Sequence, residues 1–157
     1  MDLIGEAAKA YRRAYTQAFP RVLELHGELY TRSGGRIGHR LLFGVPSLIV
    51  TTVGAKSGAP RTTVLTYARD GDDFVVVASK GGAPHNPAWY HNIVAAGEVG
   101  VQVGTRRLRA RVTALTPGDP DYDRLWRLAD AGNGGRYSRY QRKTRRPIPV
   151  CVLHPVA

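Results

Sequence analysis

The sequence predicts an α+β protein, a small antiparallel barrel of about six short strands interrupted by single helices. β-branched runs of strand length recur from Ser47 to Leu153. Tight turn signals, Asp70-Gly71-Asp72 and Gly104-Thr105, join neighbouring runs as hairpins. Helical periodicity occurs only in isolated stretches and does not follow every strand, which argues against alternating βαβ units. The chain divides into an N-terminal helical segment, residues 1–44, and a barrel domain, residues 45–157.

In the first segment Leu3, Ile4, Ala7, Tyr11, Ala14, Tyr15, Ala18 and Phe19 recur at helical spacing, while Lys9, Arg12, Arg13 and Gln17 fall elsewhere on the wheel. That pattern is an amphipathic helix ending near Pro20. A second helical piece runs from Arg21 to about Tyr30 on Val22, Leu23, Leu25 and Leu29, and Ser33-Gly34-Gly35 breaks it. A flexible junction then reaches about Gly44.

The barrel begins with the strand Leu48 to Thr52, followed by Thr62 to Ala68 and, after the Asp70-Gly71-Asp72 turn, Phe74 to Ala78. Pro87 to Ala96 reads as a short helix, because proline suits a first turn and Trp89, Tyr90, Ile93 and Val94 share helical spacing. Val99 to Val103 and Arg107 to Leu115 form the second hairpin. In the latter strand Leu108, Ala110, Val112 and Ala114 alternate with Arg107, Arg109, Arg111 and Thr113, so one face is basic. Pro120 to Ala131 is helical, Tyr137 to Arg142 adds a helical turn, and Val150 to Leu153 is the closing strand.

At 157 residues the chain suits one ordinary domain, and 43% apolar content places it among globular proteins. A formal net charge of +11 calls for an anionic partner, which nucleic acid, an anionic membrane surface or an anionic cofactor would each satisfy. The single cysteine, Cys151, excludes an internal disulfide and suits a reducing compartment. No uncharged apolar stretch is long enough to span a membrane, and the N-terminus lacks signal-peptide order, so the expected location is the cytoplasm. The N-terminal helix allows at most weak peripheral contact with the inner face of the cell membrane.

Two polar loops carry the chemistry. One runs Gly54-Ala55-Lys56-Ser57-Gly58-Ala59-Pro60-Arg61-Thr62-Thr63, the other Ser79-Lys80-Gly81-Gly82-Ala83-Pro84-His85-Asn86-Pro87-Ala88-Trp89-Tyr90. Glycines expose backbone N–H groups, hydroxyls add short donors, and Lys56, Arg61 and Lys80 supply charge, a combination that holds anionic oxygens. A P-loop is excluded because the upstream glycine is missing and a strand, not a helix, follows. No Gly-x-Ser-x-Gly elbow is present, and the five histidines show no metal-ligand spacing, so no metal site is expected. Tyr137 and Tyr140, three residues apart, share a helical face that serves packing or a ligand equally well.

The succession Leu48-Ile49-Val50-Thr51-Thr52, Gly54, Lys56-Ser57-Gly58, Pro60-Arg61, Tyr67, Arg69-Asp70-Gly71, Ala78 to Pro84, Asn86-Pro87, Trp89-Tyr90 and Asn92 resembles the deazaflavin-dependent nitroreductase family of actinobacteria. The likeness continues through Val101-Gln102-Val103, Tyr137, Tyr140-Gln141, Thr144-Arg145 and Ile148-Pro149-Val150. It implies a split, FMN-binding-like β-barrel with flanking helices that binds coenzyme F420. It further implies an F420-dependent reductase that passes a hydride to a small electron-poor acceptor such as a quinone, a nitro compound or an activated alkene. By the same resemblance Lys56, Ser57, Arg61 and Thr62 hold the phosphate region, and Ser79, Lys80, Trp89 and Asn92 shape the pocket around the ring. Tyr137, Tyr140 and Ser79 are the expected catalytic donors. The chain departs from the family pattern at Ala55, Val64 and Gly134, the last standing where a further tyrosine accompanies nitroimidazole activity. Outside the resemblance, the alternatives are a non-catalytic F420 carrier and a basic nucleic-acid-binding domain. The latter is disfavoured because aromatics do not alternate along neighbouring strands.

Overall fold

A computed structural model of the chain describes residues 28–34, 45–54 and 56–157. The expected amphipathic helix, most of the second helical piece, the junction and Ala55 lie outside these residues; residues 28–32 are helical. The fold is α+β, and the described residues form seven strands in one antiparallel sheet. They are β1 (Ser47–Val53), β2 (Pro60–Thr66), β3 (Ala68–Asp70), β4 (Asp73–Val77), β5 (Glu98–Val103), β6 (Arg106–Leu115) and β7 (Val150–Val156). The helices are α1 (Ala88–Ala96), α2 (Tyr122–Gly132) and α3 (Arg136–Gln141), and a 3₁₀ turn spans Lys80–Gly82.

The order across the sheet is β2-β1-β5-β6-β7-β4-β3. Its two edge strands, β2 and β3, are separated in the chain by Tyr67 alone, whose N–H donates to Pro46 O at 3.1 Å. One edge therefore runs directly into the other and the sheet curls into a barrel. The strand expected from Thr62 to Ala68 is thus two strands with a break at Tyr67, because a continuous strand cannot turn that corner.

Side-chain alternation explains the sequence patterns. Phe74 and Val76 of β4 and Cys151 and Leu153 of β7 enter the barrel interior with Leu48, Val50, Ile93, Val99, Val101 and Ala110. Val75, Val77, Val150 and Val152 face outward into a second apolar cluster with Tyr122, Leu125, Ala129, Tyr137 and Ile148, which come from α2, α3 and the segment before β7. Strands covered on both faces read as unbroken apolar runs. On β6 only one face is covered, so Ala110 is buried while Arg107, Arg109 and Arg111 are exposed. Arg109 meets Glu98 on β5.

The ends are fastened by specific groups. Arg124 of α2 grips Asp70 at the tip of β3 with two hydrogen bonds of 2.9 and 3.0 Å, which holds the Asp70 carboxyl below its usual range. Tyr30, fully buried, donates from Oη to Ser47 O at 3.0 Å and accepts from Gly104 N–H at 2.9 Å, tying the residues before the barrel to β1 and the β5–β6 turn. No described helix is long and apolar enough to cross a membrane.

Candidate functional site

Strand directions decide which loops can cooperate. In an antiparallel sheet of this order β1, β6 and β4 run the same way, so the loops after β1 and β4 both leave the same end of the barrel. The segment that enters β7 lies at that end too. The two polar loops of the sequence are therefore neighbours of one rim, although 15 residues, 64–78, separate them in the chain.

The loop after β1 is a tight turn. Gly54 N–H donates to Ala59 O at 2.7 Å, Gly58 N–H donates to Gly54 O at 2.9 Å, and Gly58 sits at φ 68°, in the left-handed region. A Cβ placed on Gly54 would lie 2.7 Å from Ser57 Oγ and 3.4 Å from Arg61 Nε. A hydroxyl and a guanidinium thus converge over bare backbone, a cradle suited to an anionic oxygen. Lys56 is exposed on the same turn. Thr62 is not part of this cradle. Successive residues of a strand point to opposite faces, and Thr62 lines a groove of about 310 Å³ on the outer face with Thr51, Gln102 and Arg107.

The loop after β4 is organised by a residue that composition alone assigns to a solvated basic cluster. Arg146 Nε donates to Ala83 O at 2.7 Å, Nη2 to Ser79 O at 2.7 Å, and Nη1 to both Ala78 O at 3.2 Å and Asn86 Oδ1 at 2.7 Å. Burial holds its pKa below the ordinary arginine value. The guanidinium gathers three carbonyls and an amide of one loop, of which Ser79 O also accepts from Gly82 N–H at 2.9 Å. Within that loop Ser79 is 8% exposed, Lys80 projects outward at φ 45°, and Gly82 is buried at φ 82°. A Cβ on Gly82 would stand 2.5 Å from Tyr140 O, so only glycine lets the loop approach α3 this closely. No sequence signal distinguishes Arg146 from its basic neighbours; its role depends on contacts 60 or more residues away.

The tyrosines differ from each other. Tyr137 is 6% exposed, its ring packed 6.3 Å from Trp126, and its hydroxyl lies 2.9 Å from Thr66 Oγ1 at the end of β2. Burial raises its pKa, so the phenol stays protonated at neutral pH. Tyr140 is half-buried, at 6.5 Å from Tyr137 between ring centroids, with Lys143 Nζ 5.7 Å above its ring. Trp89 and Tyr90 of α1 pack against the barrel interior, and Asn92 is half-buried on the same helix. The structure therefore brings Ser57 and Arg61 together at one place, and the Ser79–Gly82 loop, Tyr140 and Tyr137 at another. The free edge of β2 runs between them, from Arg61 to Thr66. Five residue steps of strand span ~17 Å. Among the described residues no cluster of histidine, cysteine and carboxylates fit for a metal ion occurs.

A family model described as F420H(2)-dependent quinone reductase matches residues 22–155 of the chain. An F420H(2)-dependent quinone reductase of Mycobacterium tuberculosis is 50% identical over 133 residues, which cover 85% of this chain and 89% of that protein. Among solved structures, one described as an F420-H2 dependent reductase is 38% identical, with a TM-score of 0.60 over 69% of this chain and 94% of that one. Another, described as a domain-swapped dimer, is 31% identical, with a TM-score of 0.64 over 86% and 98% of the two chains.

Proposed function

This chain belongs to the F420H(2)-dependent quinone reductase family, and from that premise we propose how its own residues serve the reaction. The protein is an oxidoreductase, its cofactor is F420, and hydride passes to a small quinone-type acceptor. When bound, the coenzyme supplies a hydride from its deazaflavin ring and carries a phosphate and a glutamate tail, both anionic.

The residues present fit such a group. Ser57 Oγ and Arg61 Nε over Gly54 hold the phosphate, with Lys56 adding long-range attraction. The Ser79–Gly82 loop, fixed by Arg146, presents Ser79 and Lys80 toward the ring region, and Trp89 and Asn92 of α1 shape its wall. Thr62, on the outer face, contributes to β2 and not to the phosphate cradle. The observation that carries this reading is the anion cradle itself, where Ser57 Oγ and Arg61 Nε converge over Gly54; the part-buried Thr66–Tyr137 hydroxyl pair lies farther along β2, on the face opposite Arg61.

That pair has a chemical consequence. Between Thr66 Oγ1 and Tyr137 Oη one hydroxyl donates to the other, which leaves one O–H without an acceptor among the described residues. It can donate to the oxygen on which negative charge develops as the acceptor is reduced. Tyr137 is the first choice for that donor and Tyr140 the second, with Ser79 as a smaller donor from the facing loop. Nitro compounds and activated alkenes are further acceptors to be tested, Gly134 leaving open the position of an additional tyrosine. We place the enzyme in the cytoplasm, with no nucleic-acid partner and at most weak peripheral membrane contact through the N-terminal helix.

The test is a fluorescence titration with F420. Arg61→Ala should weaken binding roughly ten- to a hundredfold, because a charge-assisted hydrogen bond contributes about 1.5–3 kcal/mol, and the wild-type affinity should fall with added salt. Equal affinity in wild type and variant would overturn the cradle assignment. Turnover of reduced F420 against a panel of quinones and nitroaromatics, with NADPH and reduced FMN as controls, defines the acceptor class.

A further inference from the structure

We propose that the groove between α2, α3 and the segment 142–147 is a second binding site, one that accepts a small planar aromatic carboxylate. The groove has a volume of about 540 Å³, within the range of ligand pockets, roughly 300–1,000 Å³. It shares no residue with the cradle or the Ser79–Asn86 loop.

One wall is aromatic. Trp126 and Tyr122 stack with centroids 6.0 Å apart and planes inclined by 22°, and Trp126, only partly buried, offers apolar surface to the groove. Pro117 and Pro147 are its remaining apolar lining. Such a lining favours a flat ring, which packs on aromatic faces with a gain beyond its buried area.

The polar groups of the groove select for charge by elimination. Tyr122 Oη already donates to Ile148 O at 2.7 Å. Ser138 Oγ donates to Asp130, and both ends of the Gln141 amide are spent on Thr144, Arg146 and Ile148. What remains is Arg142, Arg145, the Trp126 indole N–H, itself a donor, and one carboxylate, Asp123. Both arginines are exposed, and neither side chain has a hydrogen-bond or ion-pair partner among the described residues. Two free guanidinium groups against one carboxylate leave a net positive rim, and a guanidinium fork matches a carboxylate in two parallel hydrogen bonds. The ring on Trp126 and the acid on the arginines together define the ligand class.

The chain contains two tryptophans, so the indole N–H region of a nitrogen-15 spectrum holds two resonances that report on different places. Titration of the full chain with 2-naphthoate should shift the Trp126 indole signal, assigned with Trp126→Phe, and leave that of Trp89 in place. In the double variant Arg142→Gln/Arg145→Gln the dissociation constant should rise at least tenfold, and 2-naphthalenemethanol, which lacks the charge, should bind the wild type at least tenfold more weakly than 2-naphthoate. Both arginines are exposed, and the amide spectrum of the double variant verifies that its fold is intact. Unchanged affinity in the double variant, a shift confined to Trp89, or no shift of Trp126 at millimolar ligand would each overturn the proposal.

Discussion

Removing the Arg146 guanidinium should both loosen the barrel rim and weaken the cofactor site. Arg146→Ala removes a donor from Ala78 O, Ser79 O, Ala83 O and Asn86 Oδ1 at once. The four do not weigh equally. Ser79 O keeps the Gly82 N–H at 2.9 Å, and Ala83 and Asn86 are half-buried and can rehydrate, whereas Ala78 is fully buried. Leaving one buried acceptor unsatisfied costs about 1–3 kcal/mol, which sets the expected loss. For a chain of this size that lowers Tm by roughly 2–12 °C, measurable by thermal unfolding and by urea titration. Arg146→Lys restores charge without the planar fork and should recover about half of the loss. Because the same loop carries Ser79 and Lys80, F420 affinity should fall in both variants at temperatures where they remain folded. A Tm within about 2 °C of wild type, together with unchanged F420 affinity, would refute the reasoning.

Three other outcomes follow from the geometry. Gly54→Ala places its Cβ against Ser57 Oγ and Arg61 Nε, both movable side-chain ends, so the fold should survive with a stability change under about 1 kcal/mol while F420 affinity drops about tenfold; an affinity change without displacement of Ser57 in a crystal structure would contradict this. Tyr137→Phe keeps the ring packing and should lower turnover about 10²-fold with F420 affinity preserved; steady-state kinetics showing unchanged turnover in both Tyr137→Phe and Tyr140→Phe would make these residues pocket lining only. Burial raises the Tyr122 phenol from an ordinary value of 10.0 to about 12, so its contribution to stability is intact below pH 10 and is lost as pH rises from there through about 12. Unfolding measured across that interval should show a shallower pH slope for Tyr122→Phe than for wild type, and identical slopes would rule the tyrosine out.

What was legible in the sequence is what local chemistry dictates. The alternation of arginine with apolar residues on β6 marks a strand with one basic face, whereas the apolar runs of β4 and β7 read simply as strands and only the structure shows them covered on both faces. Gly71 and Gly104 marked the hairpins, both at positive φ. The Gly54 and Ser79 loops stood out by composition, and antiparallel order explains why they share a rim. The features that stayed hidden depend on distant partners. Arg146 is one basic residue among several until the β4 loop folds beneath it, and Tyr137 is one of a pair until Thr66 meets its hydroxyl. The family resemblance groups Thr62 with Arg61, yet strand alternation sends the two side chains to opposite faces. The break at Tyr67 likewise reflects barrel closure, which no run of seven residues encodes.

The position of β7 has a kinetic consequence. It is the last of the seven strands in chain order, yet it lies between β6 and β4, with residue pairs from Arg109–Val156 to Leu115–Val150 on one side and from Phe74–Leu153 to Val77–Val150 on the other. During synthesis the β1–β2 and β5–β6 hairpins can pair early, because their contacts are local. The β3–β4 hairpin is joined to them only through Tyr67 until Val150–Val156 pairs, and both apolar clusters remain open on one side until then. Completion of the barrel is therefore governed by a strand insertion of long sequence separation, and loss of a few residues from β7 opens the sheet between β6 and β4 and exposes edges prone to association.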